Sequence, residues 1–365
     1  MKNNGLSTLH STCFWLVVVM GIALAGIAEG KKDKKGSGSA DSLVKSGEQA
    51  YLTGNLDKAA EIFKKVVASH PEDHRGYYYS AMVLAQQGKK DEAEKMYREA
   101  LERKPDLPEA MNNLAVILQE KKSFKEAGKL FKEALKADPN YFEAQFNLGY
   151  LYEEWNNPDA AVSAYLAASK IDAKDTDALI AVGDIETARG KLEEAVNAYR
   201  KAVKRDSSLI ALKLNIAALL TKLGKKQEAS TELEALVSKV TIAAGADLTI
   251  PFKAARELRL AGKPERTLEI LSKFPSDAKE TFSLQTETGQ CWLAMGKCGK
   301  AATAFEQALK LKPDSPEAML ALADSYLCDK KCKKATEYYN KYLGEASKSD
   351  ERKESVKKKI ASCKK

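Results

Sequence analysis

The chain has 365 residues, with 59 basic and 51 acidic side chains, three histidines and a formal net charge of +8. The excess sits in two tails: residues 31–35 carry +3 and residues 345–365 carry +4, which leaves the body between them close to neutral. A nucleic-acid-binding array would need a basic stripe along its length rather than two basic ends, and the absence of a glycine-rich phosphate loop, a His-rich metal motif or a nucleophile elbow argues against an enzyme and calls for no cofactor or metal.

Residues 1–28 hold one cation, Lys2, followed by an apolar run over residues 14–28 that is broken only by glycines and closes in small residues. This is the pattern of a secretory signal peptide, with cleavage after Ala25 or Ala28. The run falls short of the ~20 residues that span a bilayer; an uncleaved N-terminal membrane anchor is the alternative. Cys13 precedes the run, so no lipid anchor is indicated. Residues 29–42, with the stretch KKDKKGSGSADS, bury no apolar surface and are expected to form a flexible basic Gly/Ser linker.

From residue 43 to residue 343 the text repeats. Pro71, Pro105 and Pro139 stand 34 residues apart and mark the period. With Pro71 as position 32, position 8 is small throughout: Gly47, Ala81, Ala115, Gly149, Gly183, Ala217, Gly289 and Ala323. Position 20 is alanine at Ala59, Ala93, Ala127, Ala161, Ala195, Ala229, Ala301 and Ala335, as expected where two helices cross closely. Position 24 carries the knob beside that crossing: Phe63, Tyr97, Phe131, Tyr165, Tyr199, Leu233, Phe305 and Tyr339. Position 15 is often glycine (Gly54, Gly88, Gly190, Gly224, Gly296), suited to the left-handed turn that ends the first helix of each pair.

A 34-residue period with two amphipathic stretches per unit and these small residues at fixed offsets resembles the tetratricopeptide repeat family. The resemblance covers residues 40–343 and implies an all-α solenoid, a right-handed superhelix of nine helix pairs. The pairs are expected to start near Ala40, His74, Pro108, Phe142, Thr176, Ile210, Leu248, Glu280 and Pro316. The seventh, residues 248–279, is degenerate: Thr267 replaces the position-20 alanine and the phase slips after Thr241, so the array is expected to bend or loosen there. Residues 344–365 form a basic tail with a capping helix, in which Val356 and Ile360 fall at core positions; the last repeat needs a cap because nothing else covers its apolar side.

In this family the stacked first helices line a concave groove at positions 2, 5, 6, 9, 12 and 13, and that groove binds protein segments. Those positions hold Tyr78 and Met82, then Glu109, Asn113 and Glu120. The fourth unit adds Glu143, Phe146, Asn147, Tyr150, Glu153 and Glu154, and the fifth Asp177 and Asp184. The face is acidic, aromatic and amide-bearing, and Asn113 and Asn147 are spaced to bond an extended peptide backbone. The plainer reading is a solvated helix face, where acidic residues are common. The family's carboxylate clamp needs Lys at position 5 and Asn at position 9; Val44 and Glu48 do not supply it.

Once the leader is removed, Cys291, Cys298, Cys328, Cys332 and Cys363 remain, all in the last quarter. Such clustering in an exported chain suggests disulfides; the alternative, zinc, has no matching finger spacing. In an antiparallel stack, facing positions of consecutive units sum to about 31, which pairs Cys298 with Cys328 and Cys332 with Cys363 and leaves Cys291 unpaired. The expected function is a non-catalytic scaffold or adaptor in the cell envelope or periplasm, with protein partners and at most weak membrane-surface contact through the basic ends. Alternatives are a chaperone-like holder of unfolded chains and a regulatory subunit of a separately encoded enzyme.

Overall fold

The computed structural model describes residues 37–363 apart from 241, 244 and 348. The expected signal peptide lies outside the described residues. The described residues form α-helices joined by short turns, with no strand among them. Contacts divide the chain into two compact units, one ending at Ile185 and the other beginning at Glu186.

The first unit holds α1 (Ser37–Leu52), α2 (Leu56–Ser69), α3 (His74–Gln86), α4 (Lys90–Arg103), α5 (Pro108–Glu120), α6 (Phe124–Ala137), α7 (Phe142–Glu154) and α8 (Pro158–Ile171), with most of α9 (Asp177–Ala188). The second continues with α10 (Leu192–Arg205), α11 (Ile210–Lys222), α12 (Lys226–Val237), α13 (Thr249–Leu260), α14 (Pro264–Ser272) and the short α15 (Ser276–Lys279). It ends with α16 (Phe282–Ala294), α17 (Cys298–Leu311), α18 (Pro316–Cys328), α19 (Cys332–Glu345) and α20 (Arg352–Ser362).

Each pair is built by the same three devices. The turn at position 15 takes positive φ in every repeat, at Gly54, Gly88, Gly190, Gly224, Gly262 and Gly296 and, without glycine, at Lys122, Asn156 and Lys330. The position-20 alanines are all 0% exposed, so two backbones meet there with no room for a larger group. Opposite them the position-24 knob fills the seam: Phe63, Phe131, Phe305, Tyr97, Tyr165 and Tyr339 are at most 1% exposed. The small residue at position 8 is what admits that ring. A Cβ on Gly149 would lie 2.8 Å from the Tyr165 ring, and one on Gly289 2.8 Å from Phe305.

One expectation is corrected. The first helix begins at Ser37, so residues 37–42 are helical rather than part of a flexible linker. Ala40 and Val44 explain it: both are buried, at 5% and 4%, so the turn that carries them is held by packing despite its Gly/Ser composition. The degenerate seventh pair keeps a packed core. Its core is continuous from Leu214 and Leu233 through Leu258, Ile270 and Phe274 to Leu284. Thr267, fully buried in the alanine slot, donates its hydroxyl to Ala255 O at 2.9 Å and Lys263 O at 3.1 Å, so the extra polar atom is satisfied. The phase slip is absorbed by the connection between α12 and α13 and by a second helix of only nine residues.

Candidate functional site

First helices of successive repeats touch, α1 with α3 and α5 with α7, so their outward residues share a face of the first unit. On α3, Tyr78 packs its ring edge-on to Tyr79 at 5.1 Å and against Tyr97 at 6.0 Å. On α7, Phe146 stands between Phe142 at 5.8 Å and Tyr165 at 5.0 Å. Burial raises the hydroxyl pKa of Tyr78 and, more weakly, of Tyr150, where the nearby Glu154 and Glu153 charges add to it. These rings form an apolar floor, half covered, between carboxylate groups.

The structure divides the expected groove residues into two classes. Met82 and Asn147 are not available to a partner: they are 4% and 6% exposed. Asn147 instead donates Nδ2 to Asn112 Oδ1 at 3.0 Å, and Asn112 donates Nδ2 to Asn113 Oδ1 at 3.2 Å. The amides expected to grip a peptide backbone are therefore occupied with each other, as an internal ladder that ties α5 to α7.

Most of the acidic residues near the helix ends are occupied as well. Glu120 pairs with Lys90 at 3.0 Å. Glu154 accepts from Gln119 Nε2 and Lys122 Nζ, both at 2.8 Å. Glu153 accepts the hydroxyl of Tyr165 at 3.2 Å. Asp184, half-buried on α9, makes interactions of its own.

Glu109, Glu143 and Asp177 are different. They occupy position 2 of three successive repeats, in the first turn of α5, α7 and α9, and among the described residues no cation pairs with them. Glu109 Oε2 is buried with no hydrogen-bond partner. Each first-turn carboxylate gains from the helix dipole, worth about 0.3–1 kcal/mol, which accounts for its place in the helix but supplies no cation to pair with it.

Trp155 was not singled out in the sequence. It is 46% exposed and packs against Phe124 at 6.1 Å, beside Lys122, over a shallow depression of about 350 Å³. A tryptophan at the turn position of a repeat is the signal that could have marked it. In the second unit the structure brings Cys298 and Cys328 to bonding contact, with Cα atoms 5.8 Å apart, within disulfide range. The expected partners Cys332 and Cys363 are both unbonded and partly buried, and Cys291 is unbonded and buried. Among the described residues no group of three or more metal-ligating side chains forms, and no helix is long and apolar enough to cross a membrane.

Profiles of three tetratricopeptide repeat families match: one described as Tetratricopeptide repeat over residues 45–108, 81–142 and 293–350, another of the same description over 118–185, and one described as TPR repeat over 183–224. No curated relative matches the chain. Among solved structures it is similar to PilF of Pseudomonas aeruginosa, at 18% identity and a TM-score of 0.46 over 56% of this chain and 96% of that one. A tetratricopeptide repeat protein of Parabacteroides merdae aligns at 18% identity and a TM-score of 0.43 over 79% of this chain and 98% of that one. YrrB, described as a TPR protein with an unusual peptide-binding site, aligns at 22% identity and a TM-score of 0.42 over 49% of this chain and 92% of that one. With three profiles laid over the helix pairs and the same residues at the same offsets in the seams, the chain belongs to the tetratricopeptide repeat family.

Proposed function

We propose that this chain is a non-catalytic scaffold that holds a protein partner on the first-helix face of its first unit. The partner segment is extended and basic. The observation that carries this reading is the row Glu109, Glu143 and Asp177: three carboxylates at one register position, without cations of their own, beside the rings of Tyr78, Phe146 and Tyr150. Lysine or arginine side chains spaced along an extended segment would supply the missing charges, while its apolar residues would cover the rings. Tetratricopeptide repeat proteins are in general protein-interaction scaffolds, which agrees with this reading.

We further propose that the chain is exported, with residues 1–28 as its signal peptide, and acts in the cell envelope. Clustered cysteines and the apolar leader support that address. A photo-crosslinking amino acid placed at Glu143 in cells of the native host, followed by mass spectrometry of the captured material, tests the reading. One defined partner, crosslinked through a Lys- or Arg-containing segment, is expected. A broad set of unfolded chains would favour a chaperone instead, and capture through acidic segments would refute the charge match.

A further inference from the structure

The second helix of each repeat from the first to the seventh carries an acidic residue in its first turn, where a negative charge suits the helix dipole. Helices α17 and α19 carry none. Their first turns hold Lys300, Lys333 and Lys334 instead, and the turns that lead into them add Lys297, Lys330 and Lys331. All six are exposed. The two turns lie side by side: the Cα atoms of Cys298 and Cys328 are 5.8 Å apart, and a Cβ on Gly299 would lie 3.8 Å from Asp329 Oδ2.

The missing acids leave the lysines without counter-charges. In earlier repeats a turn lysine meets the first-turn acid of the preceding second helix: Lys121 pairs with Asp91, and Lys225 with Glu193 at 2.6 Å. In the eighth repeat Gly299 stands at the place of Glu193, and Lys331 turns to Asp329 of its own turn, at 2.7 Å. Among the described residues no carboxylate pairs with the other five lysines. Lys300 and Lys334 lie over the rings of Trp292 and Tyr326, at 4.5 and 5.1 Å, and such contacts leave their charge in place.

We propose that the turn edge of the eighth and ninth repeats docks on a bilayer face rich in anionic headgroups. A protein segment is held in a groove that its side chains can fill. These lysines stand on the connecting turns, at the rim of the stacked pairs and away from the concave first-helix face, and a rim of cations on flexible stems meets a plane of negative charge with all its members at once. Each lysine near the lipid surface adds its own attraction, which falls off within a Debye length. The contact uses neither of the basic tails, residues 31–35 and 345–365, and none of the first-unit residues offered above to a protein partner. It stands or falls apart from that reading.

The test is flotation of the full chain with vesicles of phosphatidylcholine alone and of equal parts phosphatidylcholine and phosphatidylglycerol. The native chain should float with the anionic vesicles and not with the neutral ones, and added salt should release it. The variant Lys330→Gln, Lys331→Gln, Lys333→Gln, Lys334→Gln should bind the anionic vesicles about tenfold or more weakly, whereas Lys357→Gln with Lys358→Gln in the tail should bind as the native chain does. Should the fourfold variant fail to fold, Lys297→Gln with Lys300→Gln makes the same test. Equal binding of the native and rim variants, binding lost only with the tail lysines, or equal flotation with neutral vesicles would overturn the proposal. So would capture of polyglutamate by these lysines with no binding to anionic vesicles, which would assign the rim to an acidic protein.

Discussion

Tyr165 donates its hydroxyl to Glu153 at 3.2 Å, so the knob that fills the seam of the fourth repeat is tied to a carboxylate on the face expected to bind a partner. The same arrangement recurs with different partners. Tyr339 donates to Asp324 at 2.5 Å. A buried phenol needs a hydrogen-bond partner, and the first helix provides it. Removing the acceptor should therefore cost more than removing the hydroxyl. Glu153→Ala strands the phenol and is expected to lower stability by about 1–3 kcal/mol, whereas Tyr165→Phe should change it by less; urea unfolding of both variants decides the order.

The position-15 turn gives a second prediction. Lys330 holds φ 58° where most repeats have glycine, and a left-handed non-glycine residue costs about 1–2 kcal/mol. Lys330→Gly should recover part of that, raising stability by about 0.5–1 kcal/mol after the larger chain entropy of glycine is subtracted. Gly54→Ala should do the reverse. Nothing lies within 4 Å of a Cβ there, so any loss in thermal stability reports backbone strain alone.

Much of the fold was legible in the sequence because the seam leaves little choice. Gly149 must be small since the ring of Tyr165 lies where its side chain would be, and Ala161 must be small since two backbones cross over it. Those demands repeat every turn of the array and outlast the drift of everything else. The binding face was less legible. Asn147 and Glu153 sit at outward register positions but serve the interior, one in an amide ladder and the other under a phenol. Register alone does not distinguish a side chain that bonds a neighbour from one that waits for a partner. The start of α1 was hidden for a different reason: Ser37–Ser42 has a linker's composition, and only the burial of Ala40 and Val44 makes it helical.

In the seventh and eighth repeats Arg259 Nε meets Glu287 Oε1 at 2.5 Å, with side chains 16% and 7% exposed. Breaking such a pair leaves a buried charge uncompensated, while replacing both partners with apolar groups is often neutral. Arg259→Ala is accordingly expected to cost about 3–5 kcal/mol, and the double change Arg259→Met with Glu287→Leu much less. Equal losses in the two variants, measured by chemical denaturation, would show that the pair does not behave as a buried ion pair.

Burial, with the Glu287 charge beside it, pushes the Cys291 thiol up to about 12 from an ordinary 9.0. In the native chain at pH 8, Cys291 should resist iodoacetamide while denaturation exposes it. The sign of the stability effect follows. The unfolded thiol ionises first, so the contribution is intact below pH 9 and is lost as pH rises from about 9 toward 12. Cys291→Ala should flatten that alkaline decline in melting temperature.

The central claim is that unmatched carboxylates on the first-helix face hold a basic extended segment. It is tested most directly by fluorescence anisotropy with two labelled peptides, one alternating Lys and Ala and the other Glu and Ala, titrated with the full chain and with a Glu109→Gln, Glu143→Gln, Asp177→Asn variant. The variant avoids Glu153 and Glu154, which have structural partners, so its fold should be intact by circular dichroism. The Lys/Ala peptide should bind the native chain, with Kd rising about tenfold or more in the variant and affinity falling as salt is raised. Equal binding of that peptide to both proteins, or a preference for the Glu/Ala peptide, would contradict the account.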